Sequence, residues 1–313
     1  MSVITRQMIA TYYEKYQNSE IMFSQEVTQN LHLVPRQIYI KCGGDQWPCI
    51  INSTSFSLAR IIIGTRGGAF KTITKNANEN VSIRFCFAPP DSDIVSFFVN
   101  AHVSEVSKFN GKQELAIVTL AFTQRPPDSL IESIGSIHEA RKNANRRSEE
   151  RITLSPEICR KLQLDISKTM LLIEKVPRKS IFRDISFSGA KLIIVGLAKF
   201  LMNKEVLLEF AFDEPSEVIP ITGKIVNVES LENRKELLAI SVHFDVNKIP
   251  LAYKIRLSDY FSTLRKTSTS GMDAPAFVPQ EGNQNSQGNK VSEPPIPNTD
   301  AKKASQNITN HKE

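Results

Sequence analysis

Arg147 and Arg151 stand four positions apart, with Arg146 directly before them, and Asp184, Ser186 and Gly189 form an Asp-x-Ser-x-x-Gly pattern after 32 intervening residues. An arginine guanidinium is a flat fork that binds a phosphate, or the O6/N7 edge of a guanine, through two hydrogen bonds, and its face stacks on a base. A carboxylate such as Asp184 can accept from the N1 and N2 donors of that base, and a serine hydroxyl adds a smaller contact. A glycine lets backbone approach or turn where a side chain would collide. Each half also has an ordinary reading. Arg-x-x-x-Arg is common on solvated helix faces, where Glu149 or Glu150 would pair locally. Asp-x-Ser-x-x-Gly is a common turn between strands, with Asp and Ser bonding their own backbone. The two together, in this order, make one coherent site.

The elements that must position these residues follow from comparing the chain with itself. Cys49 to Ile63 aligns without a gap to Ser180 to Ile194, sharing Ser-Phe-Ser followed by Ala, a basic residue and an aliphatic run. Val81 to Phe87 then parallels Val206 to Phe212, and Glu114 to Phe122 parallels Glu236 to Phe244. Three matches in order argue for tandem domains. The runs are short, β-branched and aromatic, with turn clusters between them, which favours an antiparallel barrel or sandwich over a parallel sheet. Pro127 to Lys142 and Pro250 to Lys266 read as trailing helices, and Val3 to about Gln29 reads as a helical N-terminal segment, since Ile9, Tyr12, Tyr13 and Tyr16 recur at helical spacing. The expected fold is mainly β: two antiparallel β-barrels, each with a trailing helix, an N-terminal helix and a disordered C-terminal tail.

Composition bounds the rest. A chain of 313 residues suggests two domains. From about Thr267 it is rich in Ser, Asn, Gln, Pro and Gly and cannot bury enough apolar surface to offset its ordering entropy, so 267–313 is expected to be disordered. The formal net charge is +6, and the tail, with five acids against four lysines, holds about −1 of it. The remainder is compatible with an anionic partner without demanding nucleic acid. The local density says more, because Arg141, Lys142, Arg146, Arg147 and Arg151 fall within eleven positions. Cys42, Cys49, Cys86 and Cys159 contain no CxxC pair, and five scattered histidines show no metal-ligand spacing, so no metal site or cofactor is expected. No signal peptide or bilayer-spanning run is readable, which points to a cytoplasmic protein without membrane insertion. Gly64-Thr-Arg-Gly-Gly68 lacks the order of a nucleotide-binding loop and reads as a plain loop. His102, His138 and His243 have no nucleophile or paired carboxylate beside them in a known motif, so no catalytic residue is assigned.

The motif pair Arg146-Arg147-Ser-Glu-Glu-Arg151 and Asp184-Ile-Ser186-Phe-Ser-Gly189 resembles the signature of the PilZ family of cyclic di-GMP receptors. Ahead of it, the first copy resembles a degenerate PilZ-like or flagellar-brake-type domain. Ser53 stands in the place of Asp184, Leu58 in that of Gly189, and no Arg pair precedes the barrel. The resemblance, best to the two-domain receptors of spirochaetes, covers about residues 1–266. It implies a degenerate domain over 1–140, a linker over 141–152 carrying the arginines, and a PilZ domain over 153–266. It further implies a non-enzymatic receptor that binds cyclic di-GMP through Arg146, Arg147, Arg151, Asp184, Ser186 and Gly189. Such a receptor would act on a downstream protein, with motility regulation and the flagellar motor as one possibility. In the free state the crowded arginines are expected to repel one another and leave the linker mobile until a dianionic ligand draws them onto the barrel. The alternative from another class is a nucleic-acid-binding regulator using the basic linker and the positively charged core.

Overall fold

The computed structural model describes residues 6–75, 80–90, 92–109, 112–231 and 234–269. The first half runs α1 (Arg6–Tyr16), β1 (Ile21–Met22), α2 (Gln25–Asn30), β2 (Tyr39–Cys42), β3 (Asp45–Pro48), β4 (Ile50–Thr54), β5 (Leu58–Gly64), α3 (Gly68–Lys75), β6 (Asn80–Phe87), β7 (Val95–Phe109), β8 (Lys112–Phe122) and α4 (Asp128–Arg146). The second runs β9 (Ile152–Thr153), α5 (Pro156–Leu162), β10 (Met170–Ile173), β11 (Val176–Arg178), β12 (Ser180–Ile185), β13 (Gly189–Val195), β14 (Glu205–Phe212), β15 (Glu217–Leu231), β16 (Arg234–Phe244) and α6 (Leu251–Thr269).

Each half forms an eight-stranded antiparallel sheet, ordered β1-β4-β5-β8-β7-β6-β2-β3 in the first and β9-β12-β13-β16-β15-β14-β10-β11 in the second. Element by element, these are the same topology. All three sequence matches fall on corresponding strands, and β6 and β14 share an identical alternation of buried and exposed residues. The sheets are barrel-like, because residues from strands far apart in the order meet in one core: Ile21 of β1 with Ile40 of β2, and Ile152 of β9 with Leu171 of β10. Capping repeats as well. Ser24 accepts from the Val27 N–H to start α2, and Ser155 from the Ile158 N–H to start α5, each closing a donor the helix leaves open.

The expected helical N-terminal segment is present as two helices, α1 and α2, with β1 between them. α1 buries Ile9, Tyr12 and Tyr16 as their spacing requires, but it stops at Tyr16 so that β1 can pair with β4, and Ser24 then starts a separate helix. α4 serves both halves: Leu130, Ile131, Ile134 and Ile137 fill the first core, and Ala144 packs on the second. It also continues to Arg146, so part of the expected linker is helical. α6 trails the second sheet, placing Tyr253, Leu257 and Phe261 in its core, yet it gives Leu251 to the first. Glu26 of α2 accepts from the Leu251 N–H, and the buried Asn143 amide donates to Ser258, so α6 is tied to both α2 and α4. The expectation for 267–313 lies outside the described residues except at its start, where 267–269 continue α6.

Candidate functional site

The site assembles where α4 ends and the β12–β13 hairpin turns. Arg146 is the exposed last residue of α4, and Arg147 caps it, its N–H donating to the Asn143 carbonyl at 2.8 Å. The chain turns once, with the Glu150 N–H on the Arg147 carbonyl at 3.0 Å, and enters β9, which pairs with β12 so that Thr153 opposes Asp184. The neighbouring Arg151 therefore meets Asp184, Nη1 to Oδ1 at 2.5 Å, and the two motifs touch across their intervening residues.

A β-bulge decides which way Asp184 faces. The register of β12 against β13 slips between Phe182 and Asp184. Strict alternation would point both residues into the core. The extra residue, Arg183, instead leaves Phe182 and Ile185 buried, three apart, and turns Asp184 outward with only 17% of its side chain exposed. On that outer face Lys191 is its direct cross-strand partner.

Ser186 and Gly189 lie beneath this surface. Ser186 is fully buried, and its hydroxyl accepts from the N–H groups of Ser188 at 3.3 Å and Gly189 at 3.0 Å, closing the hairpin turn. Its carbonyl accepts from Tyr253 of α6 at 2.9 Å, and complete burial pushes that phenol's pKa up, so it stays a neutral donor. Gly189 meets protein backbone: a Cβ there would lie 2.3 Å from the Val242 carbonyl oxygen of β16. Both residues therefore build the hairpin on which Asp184 is displayed.

Three residues beyond the six complete the arrangement. Ser188 bonds the linker to the hairpin, its hydroxyl lying 2.8 Å from the Ser148 carbonyl and 3.0 Å from a Glu149 carboxylate oxygen, and its N–H donating to the same carbonyl. Its signal was the second Ser of the repeated Ser-Phe-Ser. Lys191 was the basic residue of that repeat, and only the strand register shows that it faces Asp184. Phe261 gave no signal. The Arg147 guanidinium stacks over its ring at 4.9 Å, and that ring stacks on Phe187 of the hairpin.

The expected repulsion between free arginines is not what the geometry holds. Arg151 is paired with Asp184, and both oxygens of Glu150 lie on Arg147 Nη1, at 2.7 and 2.8 Å. The local pairing foreseen for a solvated helix face thus occurs at the very site.

The first copy uses the same backbone with different chemistry. Ile21 pairs with Thr54 as Ile152 pairs with Ile185, so Glu20 occupies the position of Arg151 and Tyr16 that of Arg147. Glu20 hydrogen-bonds Ser53 and lies 3.5 Å from Arg60, the counterpart of Lys191. Ser55 closes the turn as Ser186 does, and Ser57 reaches Asn18 as Ser188 reaches Glu149. A carboxylate, Glu20, thus stands where the second half has Arg151. At Gly64–Gly68 the loop leads into α3, and a Cβ on Gly68 would lie 2.2 Å from the Trp47 ring, so that glycine is required by packing.

A cavity of about 710 Å³ lies elsewhere, among α2, α5, the Glu214–Pro215 turn and α6, and none of the six residues lines it. Arg256 in its wall already donates to the carbonyls of Glu214 and Pro215. Among the described residues, no group of three or more His, Cys, Asp or Glu is placed to hold a metal ion, and no helix is long and apolar enough to cross a membrane. The four cysteines are free, and burial with Cys42 nearby pushes the Cys49 thiol up to about 12.

Comparison with known proteins gives this arrangement its family. Residues 7–141 match the PilZN3 domain and residues 145–262 the PilZ domain. A "Cyclic di-GMP binding protein" of Treponema denticola is 43% identical over 273 residues, covering 87% of each chain. The chain belongs to the PilZ family. The PilZN3 match takes in the first sheet and α4 as far as Arg141, and the PilZ match begins in the last turn of α4, just before Arg146. Solved structures are more distant. The PlzA protein of Borreliella burgdorferi, in complex with c-di-GMP, is 24% identical with a TM-score of 0.37, covering 82% of this chain and 98% of its own. The Bacillus subtilis inhibitor of motility MotI is 12% identical with a TM-score of 0.29, covering 75% and 96%.

Proposed function

We propose that this protein is a non-enzymatic receptor for cyclic di-GMP, bound between the arginine segment and the outer face of the PilZ sheet. Arg147 and Arg151, with Arg146 beside them, take the phosphodiester anions and stack on a base. Asp184 accepts from the guanine N1 and N2 donors, while Ser186 and Gly189 hold the hairpin in shape. The observation that carries the reading is the Arg151 to Asp184 contact, which brings together two motifs far apart in the chain. The Treponema denticola relative, named for the same ligand, supports it.

Ligand capture must redistribute the contacts of Arg147, which touches both Glu150 and Phe261 of α6. Moving that guanidinium changes how the end of α4 is held against α6, and we infer that the angle between the two halves is the output. Calorimetric titration of the full chain with cyclic di-GMP tests the receptor. Saturable binding that discriminates against cyclic di-AMP and is lost in Arg147→Ala and Arg151→Ala is expected. Near-normal binding by the double variant overturns the site. A steep loss of affinity with salt and no preference for guanine would instead favour the nucleic-acid reading.

A further inference from the structure

Resting on the cyclic di-GMP reading, we propose that Glu150 is an intramolecular competitor for the ligand's phosphate and thereby sets the affinity of the site. Its backbone N–H on the Arg147 carbonyl closes the turn and carries the side chain back over that residue, where both carboxylate oxygens lie on Nη1. A phosphodiester oxygen bound at Nη1 would meet a like-charged carboxylate at hydrogen-bond range, so the carboxylate must leave before the phosphate arrives. The two ion pairs of the site are not equivalent in this respect. Asp184 is 17% exposed and fixed by the bulge, whereas Glu150 is 47% exposed in a turn and can swing into solvent. Glu149, one residue earlier, lies on Ser188 and faces the hairpin.

The first half shows that the turn does not need this carboxylate. There the same turn closes with the Ser19 N–H on the Tyr16 carbonyl at 2.9 Å, against 3.0 Å for Glu150 on Arg147. Ser19 stands in the place of Glu150, and Tyr16 in that of Arg147. Glu150 is thus dispensable for the backbone, and what its carboxylate does is neutralise Arg147. Together with Asp184 it cancels the charge of Arg147 and Arg151, so a dianionic ligand meets a site of zero net charge across these four groups.

The experiment is calorimetric titration of the full chain with cyclic di-GMP for the unchanged protein, Glu150→Gln, Glu150→Ser and Glu149→Gln, each at roughly 50 and 300 mM salt. Both Glu150 variants are expected to bind about two- to fivefold tighter, the range an exposed ion pair with good geometry supports. The gain should shrink at the higher salt, while Glu149→Gln should show no such gain. Equal or weaker binding by both Glu150 variants, with the unchanged protein binding normally, overturns the competitor role and leaves the receptor reading intact. Absence of binding by all four chains overturns the receptor reading itself.

Discussion

Replacing Gly189 with alanine separates a glycine that serves the sheet from one that serves the ligand. The added Cβ would lie 2.3 Å from the Val242 carbonyl oxygen and 3.4 Å from its carbonyl carbon, both backbone atoms of β16, so no change of rotamer relieves the clash. The strands must part by about 1 Å to restore van der Waals contact, which is a fifth of their normal spacing. That stretches flanking bonds, such as the Phe244 N–H to the Ser188 carbonyl at 2.8 Å, beyond useful hydrogen-bond range. Losing two such bonds at about 1 kcal/mol each agrees with the usual penalty for forcing a methyl group into a packed site, so a loss of about 2 kcal/mol is expected. Amide hydrogen exchange by mass spectrometry reads this directly. Peptides from β12, β13 and β16 should exchange about 30-fold faster, while β4, β5 and β8 keep their protection. Leu58, which occupies the matching place in the first half, shows that the topology itself accepts a side chain there. Unchanged exchange in β13 and β16 together with lost cyclic di-GMP binding would refute this reasoning and return Gly189 to the ligand.

Ser188→Ala removes the hydroxyl bond between hairpin and linker but keeps the N–H bond to Ser148, so cyclic di-GMP affinity should fall about fivefold with the fold retained; unchanged affinity by calorimetry would show that the linker is held without it. Tyr253→Phe takes away the buried donor to the Ser186 carbonyl and should destabilise the PilZ domain by about 1–2 kcal/mol, read as a lower urea midpoint by far-ultraviolet circular dichroism. His138 stacks on Tyr16, and burial, against the partly offsetting bond to the Ser19 carbonyl and with a smaller push from Arg141, lowers its pKa. The unfolded chain then binds the proton more readily, so stability present above about pH 6.5 is lost as pH falls through and below that value. His138→Gln should flatten that part of the profile of denaturation midpoint against pH, and an unchanged slope would assign the titration elsewhere.

The repeat, the strands and the six candidate residues were legible in the sequence because each rests on local pattern. Alternation marks the strands, helical spacing marks α1, α4 and α6, and Ser-Phe-Ser marks the two hairpins, where Phe56 and Phe187 are buried as core plugs. The replacement of Asp184 and Gly189 by Ser53 and Leu58 in the first half was readable there too. What one dimension could not carry were relations set by register and by elements that close late in the chain. That Asp184 faces outward depends on one bulged residue, and its meeting with Arg151 depends on the pairing of β9 with β12. Composition alone could not separate Ser186 from Ser188, because the hydroxyl closes the hairpin turn in one and is tied to the linker in the other. Phe261 reaches Arg147 only because α6 packs back across α4, a contact spanning more than a hundred residues. The sequence by itself determined which guanidinium, carboxylate and hydroxyl groups the proposed ligand would meet. Only the tertiary structure decided that Arg147 and Arg151 lie against carboxylates of the chain itself, since opposite charges brought together by strand pairing and a tight turn neutralise each other.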